Sequence, residues 1–148
     1  MAYEEYKEIL HSTIKSLESI SRNLQPKLPL LQKLQLTTRQ EAMMMRLVQD
    51  ENVSISNLAY YLNISKSAVS QALNRLEKEE LLIRLINEEN RREMIIKLGP
   101  QGERLQEEFR LFEESIIQDY ISQLKKEEIE QIDQTLKKLD KLIKETEE

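Results

Sequence analysis

The chain has 148 residues, with two glycines, three prolines, one histidine, no cysteine and a formal net charge of −5. Without cysteine there are no disulfides, thiolate zinc sites or cysteine redox sensors, and so few glycines and prolines disfavour a turn-rich sheet protein. The length suits one domain with a real core, and the acidic N-terminal stretch MAYEEYKEIL with no apolar run near a membrane span suggests a soluble, cytoplasmic protein.

From Tyr3 the apolar positions Tyr3, Tyr6, Leu10, Leu17, Ile20 and Leu24, with Thr13 filling the gap, step by three and four along one side of a helix. Pro26 and Pro29 interrupt that pattern, because neither can continue a helical ladder. Thr37 with Gln40 three residues later has the spacing of a capping box, and opens a helix whose buried side is Met43, Met44 and Leu47. A shorter helix follows, with Ser54 or Ser56 near its start and Leu58, Ala59 and Leu62 facing inward. Only Asn63 and Ile64 separate it from Ser65, which is placed to cap the next helix.

In that next helix Val69, Ala72, Leu73 and Leu76 face one way, while Ser67, Ser70, Gln71 and Asn74 face the other. The runs LLIRLI and REMIIKL then read as two short strands around the polar tip NEENR. Both glycines follow in GPQG, where Gly99 can cap a helix and Pro100 suits its first turn. At the end, Leu124, Ile129, Ile132, Leu136, Leu139 and Ile143 repeat the three-four step, and such a stripe on a terminal helix needs a partner.

Three short helices followed by a hairpin describe a winged helix-turn-helix. The expected fold is therefore mostly α with a small β wing. Its parts are an N-terminal helix and linker (1–34), a winged core (35–99) and C-terminal helices (100–148). A helix can fill a DNA major groove when short polar side chains line its outward face. Ser67 and Ser70 can approach phosphates or bases, and Gln71 and Asn74 can pair bidentately with adenine. Lys66, beside the positive end of the helix dipole, would reach a phosphate. Arg91 and Arg92 at the hairpin tip would meet the backbone or the neighbouring minor groove, and Ser54, Ser56 and Arg75 complete the expected DNA contacts. Between Ser54 and Leu98 seven bases face six acids, a net +1, leaving −6 for the flanking helices. So small an excess implies modest non-specific affinity, with specificity resting on the groove-facing residues.

The residues LTTRQ (Leu36 to Gln40), NLAYYLNISKSAVSQALNRLE (Asn57 to Glu77), Ile83, Arg84, NRREMIIKL (Asn90 to Leu98) and Gly102 resemble the MarR family of transcriptional regulators. The flanking helices resemble that family's dimerisation domain. The resemblance implies a homodimer on a pseudo-palindromic operator, acting as a repressor that a small ligand releases. An effector would sit between the Met43–Met45 helix and the dimerisation helices, with Tyr3, Tyr6, His11 and Met45 as neighbours. The chain departs from the family at three places: Asn90 replaces an acid before the arginine pair, Glu80 replaces a helix-ending glycine, and Gly99 replaces a threonine cap. Glu88 and Glu89 at the wing tip would repel phosphate, and together with Asn90 they leave an alternative reading as a winged-helix protein-interaction module that binds no DNA. With one histidine, a metal-responsive switch would need carboxylate ligands, and no metal or other cofactor is expected. No phosphate-binding glycine loop or nucleophile elbow is present, so an enzyme is not expected.

Overall fold

The computed structural model describes residues 2–24, 28–50 and 52–147. In chain order the elements are α1 (Tyr3–Asn23), α2 (Pro29–Leu34), α3 (Thr38–Gln49), β1 (Val53–Ser54), α4 (Ile55–Leu62), α5 (Lys66–Lys78), β2 (Leu82–Ile86), β3 (Met94–Leu98), α6 (Pro100–Asp119), a 3₁₀ turn (Ile121–Gln123) and α7 (Lys126–Glu147). The three strands form an antiparallel sheet in the order β1-β3-β2, with Val53 opposite Ile96 and Arg84 opposite Ile96 on the other side. The expected hairpin therefore gains a third strand. Pro29 also acts differently from expectation: it opens α2, since a first-turn residue needs no N–H. Pro26 lies outside the described residues.

The helix starts follow their capping residues. Thr37 and Gln40 form the expected capping box on α3. On α4 the cap is Ser54: its Oγ accepts from Asn57 N–H at 3.0 Å, while Asn57 Oδ1 accepts from Ser54 N–H at 3.0 Å. Ser65 Oγ accepts from Ala68 N–H at 3.0 Å and starts α5. Between α4 and α5 the chain turns on Asn63 at φ 54°, a left-handed position that asparagine tolerates. These caps aim the inward faces at one core, built from Met43, Met44, Leu47, Leu58, Val69, Leu73, Leu76, Leu81, Leu82, Ile96 and Leu105. Each such side chain stabilises the fold by about 1.5–3 kcal/mol relative to exposure.

The end of α5 explains where both glycines stand. Leu81 N–H donates to Leu76 O and Glu80 N–H to Glu77 O, each at 3.0 Å, which is a Schellman closure. Glu80 occupies its left-handed position at φ 60°. The carbonyls of this turn accept from the start of α6: Gln101 N–H reaches Glu80 O at 3.0 Å and Gly99 N–H reaches Leu81 O at 2.9 Å. The approach is so close that a Cβ on Gly99 would lie 2.5 Å from Glu80 O, and one on Gly102 would lie 2.0 Å from Leu81 O. Glutamate at a left-handed position is strained, so Glu80→Gly is expected to stabilise the fold by about 0.5 kcal/mol after glycine's greater unfolded-state entropy is subtracted. Chemical denaturation checks this, and a destabilised variant would contradict it.

The terminal helices bury nothing within the described chain. On α1, Tyr3, Tyr6, Leu10, Leu17 and Ile20 are all exposed, as are Ile132, Leu136, Leu139, Leu142 and Ile143 on α7. Neither helix has a buried residue. Halfway along α6 the pattern changes: Gly102 and Leu105 are buried, whereas Leu111 and Ile117 are exposed.

Candidate nucleic-acid interface

Val69, Leu73 and Leu76 of α5 face the core, which leaves the opposite side of that helix to solvent. Lys66, Ser67, Gln71 and Asn74 are exposed on it and Ser70 is half-buried. The wing lies alongside. Together they form an open cleft lined by Ile55, Ser56, Lys66, Ser67, Ser70, Asn90, Arg92, Glu93 and Met94. Five of the residues expected to touch DNA thus converge on one surface: Ser56, Lys66, Ser67, Ser70 and Arg92. Arg91 lines the opposite side of the wing, with Asn87, Glu88 and Glu89.

The wing tip is closed by its own asparagines. Asn87 N–H donates to Glu93 O at 3.1 Å, and Glu93 N–H to Asn90 O at 3.0 Å. Asn90 Oδ1 accepts from Arg92 N–H at 3.2 Å, and Asn87 Oδ1 accepts from Glu89 N–H at 3.1 Å. A neutral amide at position 90 therefore orients the arginine main chain without adding a third negative charge to Glu88 and Glu89. If Arg92 neutralises a phosphate, Arg92→Ala should weaken DNA binding and reduce the slope of log affinity against log salt by about one unit. An unchanged slope in fluorescence anisotropy titrations would remove Arg92 from the contact set.

Residues 36–94, which hold this cleft, match the model of the MarR family. This segment is a MarR-family domain. Among solved structures, MepR of S. aureus in its DNA-binding conformation is 26% identical, with a TM-score of 0.66 over 90% of this chain and 98% of that one. A MepR variant bound to an oligodeoxyribonucleotide is also 26% identical, with a TM-score of 0.55 over 88% of this chain and 97% of that one. AbsC of Streptomyces coelicolor, a MarR family transcriptional regulator, shares the fold at 20% identity, with a TM-score of 0.69 over 97% of each chain. No curated protein sequence matches the chain significantly.

Two residues expected at the interface have other work within the MarR-family domain. Ser54 is only 3% exposed, spent on capping α4 and pairing with Ile95 in the sheet. Arg75 turns away from the cleft. Its Nη2 donates to Leu34 O at 2.6 Å, and its Nη1 donates to Gln40 Oε1 at 3.2 Å and Gln35 O at 3.4 Å. Arg75 thus ties α5 to the junction of α2 and α3, where Gln35 itself sits left-handed at φ 49°. Glu108 of α6 accepts from Leu30 N–H at 3.3 Å and anchors the first turn of α2.

Arg84 of β2, which is not among the expected DNA contacts, braces the outer face of α5 by reaching Ser70 and Asn74. The four residues suggested around an effector are not enclosed by one chain. Tyr3 and Tyr6 are exposed, Met45 on α3 is more than a third exposed, and His11 borders a shallow polar groove with Glu8, Ser12 and Lys15. Protonation is shifted on α6 and α7, away from the cleft. A hydrogen bond from Arg110 holds the Glu107 carboxyl below its usual range, and Asp140 raises the Lys144 ammonium. Among the described residues no three His, Cys, Asp or Glu side chains converge to hold a metal ion, and no helix is long and apolar enough to cross a membrane.

Proposed function

We propose that this protein is a sequence-specific DNA-binding transcriptional regulator, acting in the cytoplasm as a homodimeric repressor on a pseudo-palindromic operator. The observation that carries the reading is the cleft in which Lys66, Ser67 and Ser70 of α5 meet Arg92 of the wing, beside the exposed amides of Gln71 and Asn74. Lys66, Arg92 and the positive end of α5 suit phosphates, while Ser67, Ser70, Gln71 and Asn74 suit base edges. Ser56 and Arg91 add backbone contacts on either side; Ser54 and Arg75 support the fold instead.

Support for DNA as the partner comes from MepR, solved with an oligodeoxyribonucleotide bound. Support for a homodimer comes from the apolar stripes of α1, the outer half of α6 and α7, which a second copy would cover. Paired subunits would hold two α5 helices about one helical turn apart on one face of the duplex. A small effector would release the operator by binding more tightly to a dimer with the wrong spacing; Tyr3, Tyr6, His11 and Met45 would join such a pocket only if the dimer closes around them.

The exposed acids Glu88 and Glu89 favour a second reading, a winged-helix module that binds proteins rather than DNA. A gel shift against the chain's own upstream region separates the two. A retarded band at low salt that fades at moderate salt is expected, whereas no band at low salt is what the interaction module requires.

A further inference from the structure

The centre of the reading surface is held by a residue from outside α5. Arg84 reaches across from β2 and its Nη2 donates to Asn74 Oδ1 at 2.7 Å and to Ser70 O at 3.1 Å, while its Nη1 donates to Ser70 Oγ at 3.4 Å. Its Nε lies 3.0 Å from the Glu77 carboxylate, an ion-pair contact off the axis of a good hydrogen bond. The side chain is 19% exposed, so water competes little for its bonds to Ser70, while its short bond to Asn74 lies at the surface. A guanidinium has five donors and no acceptor. The Asn74 amide must therefore turn its oxygen toward Arg84 and its NH₂ away, and the Ser70 hydroxyl, already accepting, keeps its proton free to donate.

We infer that Arg84 makes the middle of the α5 face a surface of hydrogen-bond donors, so that Asn74 selects guanine rather than the adenine its side chain alone would suggest. The inference rests on the DNA-binding reading above. An asparagine that pairs with adenine accepts from the N6 amino group while donating to N7. With Oδ1 held in a short charge-assisted bond, an incoming amino hydrogen would meet the positive guanidinium just behind that oxygen. The same contact polarises the amide and strengthens its N–H donors. Guanine presents two acceptors in the major groove, O6 and N7, and no donor, so it matches a donor surface better than adenine does. Gln71, exposed on the same face, has no such tether from Arg84 and keeps both halves of its amide for adenine.

The test is enrichment of bound duplexes from a random pool, followed by affinities for duplexes differing at one base pair. Wild-type protein is expected to favour guanine over adenine by about fivefold or more at one position of each half-site. Asn74→Ala should level the preference at that position only, and Arg84→Met, which frees the amide, should shift it toward adenine. Adenine at the position that Asn74→Ala levels would overturn the inference, as would an unchanged guanine preference in Arg84→Met. Should Arg84→Met lose its helical circular dichroism, Asn74→Asp replaces it: its carboxylate keeps Arg84 but has no donor, so a surviving guanine preference overturns the inference. If wild-type protein enriches no sequence at all, the DNA-binding reading fails together with the inference. Enrichment of the wrong base removes the inference alone.

Discussion

Gly102→Ala is expected to lower the melting temperature by about 6–12 °C, although it adds a single methyl group. Two effects oppose each other. Alanine is the better helix former by about 1 kcal/mol, so a glycine inside α6 should be an easy site to improve. But the new methyl would sit 2.0 Å from the Leu81 carbonyl oxygen and 3.0 Å from Leu98 Cδ2. The first neighbour is backbone, fixed by the Schellman turn and by its bond from Gly99 N–H, and cannot swing aside. The helix must lift off the turn, loosening Leu105 in the core and the bond from Gln101 N–H to Glu80 O. Overpacking that moves backbone costs about 1–3 kcal/mol or more, so a net loss near 3 kcal/mol is expected, at about 2–4 °C per kcal/mol for a chain this long. A raised or unchanged melting temperature would mean that α6 does not dock on this turn as described.

Gln71→Ala and Asn74→Ala are expected to weaken operator binding by about 30-fold or more each, while changing affinity for random-sequence DNA less than about twofold. A good base contact is worth about 1–3 kcal/mol of discrimination, and a homodimer uses each residue twice, giving about 2–6 kcal/mol per substitution. Neither side chain is charged, so the salt-dependent term that dominates non-specific binding is untouched. Competition titrations with operator and scrambled duplexes measure both quantities. Equal losses on the two DNAs would take base reading away from this face of α5.

Much of the fold is legible in the sequence because its signals are local. Thr37, Ser65 and Pro100 act through bonds or dihedrals within a turn or two of themselves, and each stands where its type predicts, whereas Gly99 also leaves room for the distant Glu80 carbonyl. The strand β1 is not legible, since two residues cannot express a period of two; Val53 and Ser54 pair with β3 only because α4 brings them there. Glu80's own side chain asks for no φ of 60°, and only the resemblance, which has a helix-ending glycine there, marks the position.

The candidate site divides in the same way. Lys66, Ser67, Ser70, Gln71 and Asn74 share one helical face, and period alone finds them. Arg75 stands only about 40° round the helix from Gln71, so period alone does not part it from that face; its bonds to Leu34, Gln35 and Gln40, far away in sequence, do. Arg84 stands two residues after buried Leu82 along β2 and so shares its core-side face, where a charged group needs partners. Its partners are on α5, far from it in sequence, and only the fold reveals them. The apolar stripes of α1 and α7 were visible from their three-four spacing, though Ile9, Ile14 and Leu142 widen them beyond the seams first drawn.

Whether two chains share one duplex is the direct test of the whole account, and sedimentation velocity at micromolar protein, with and without an enriched duplex, measures it. The account predicts a dimer alone and two chains per duplex in the complex. A monomer at that concentration, or a single chain bound per duplex, would contradict it.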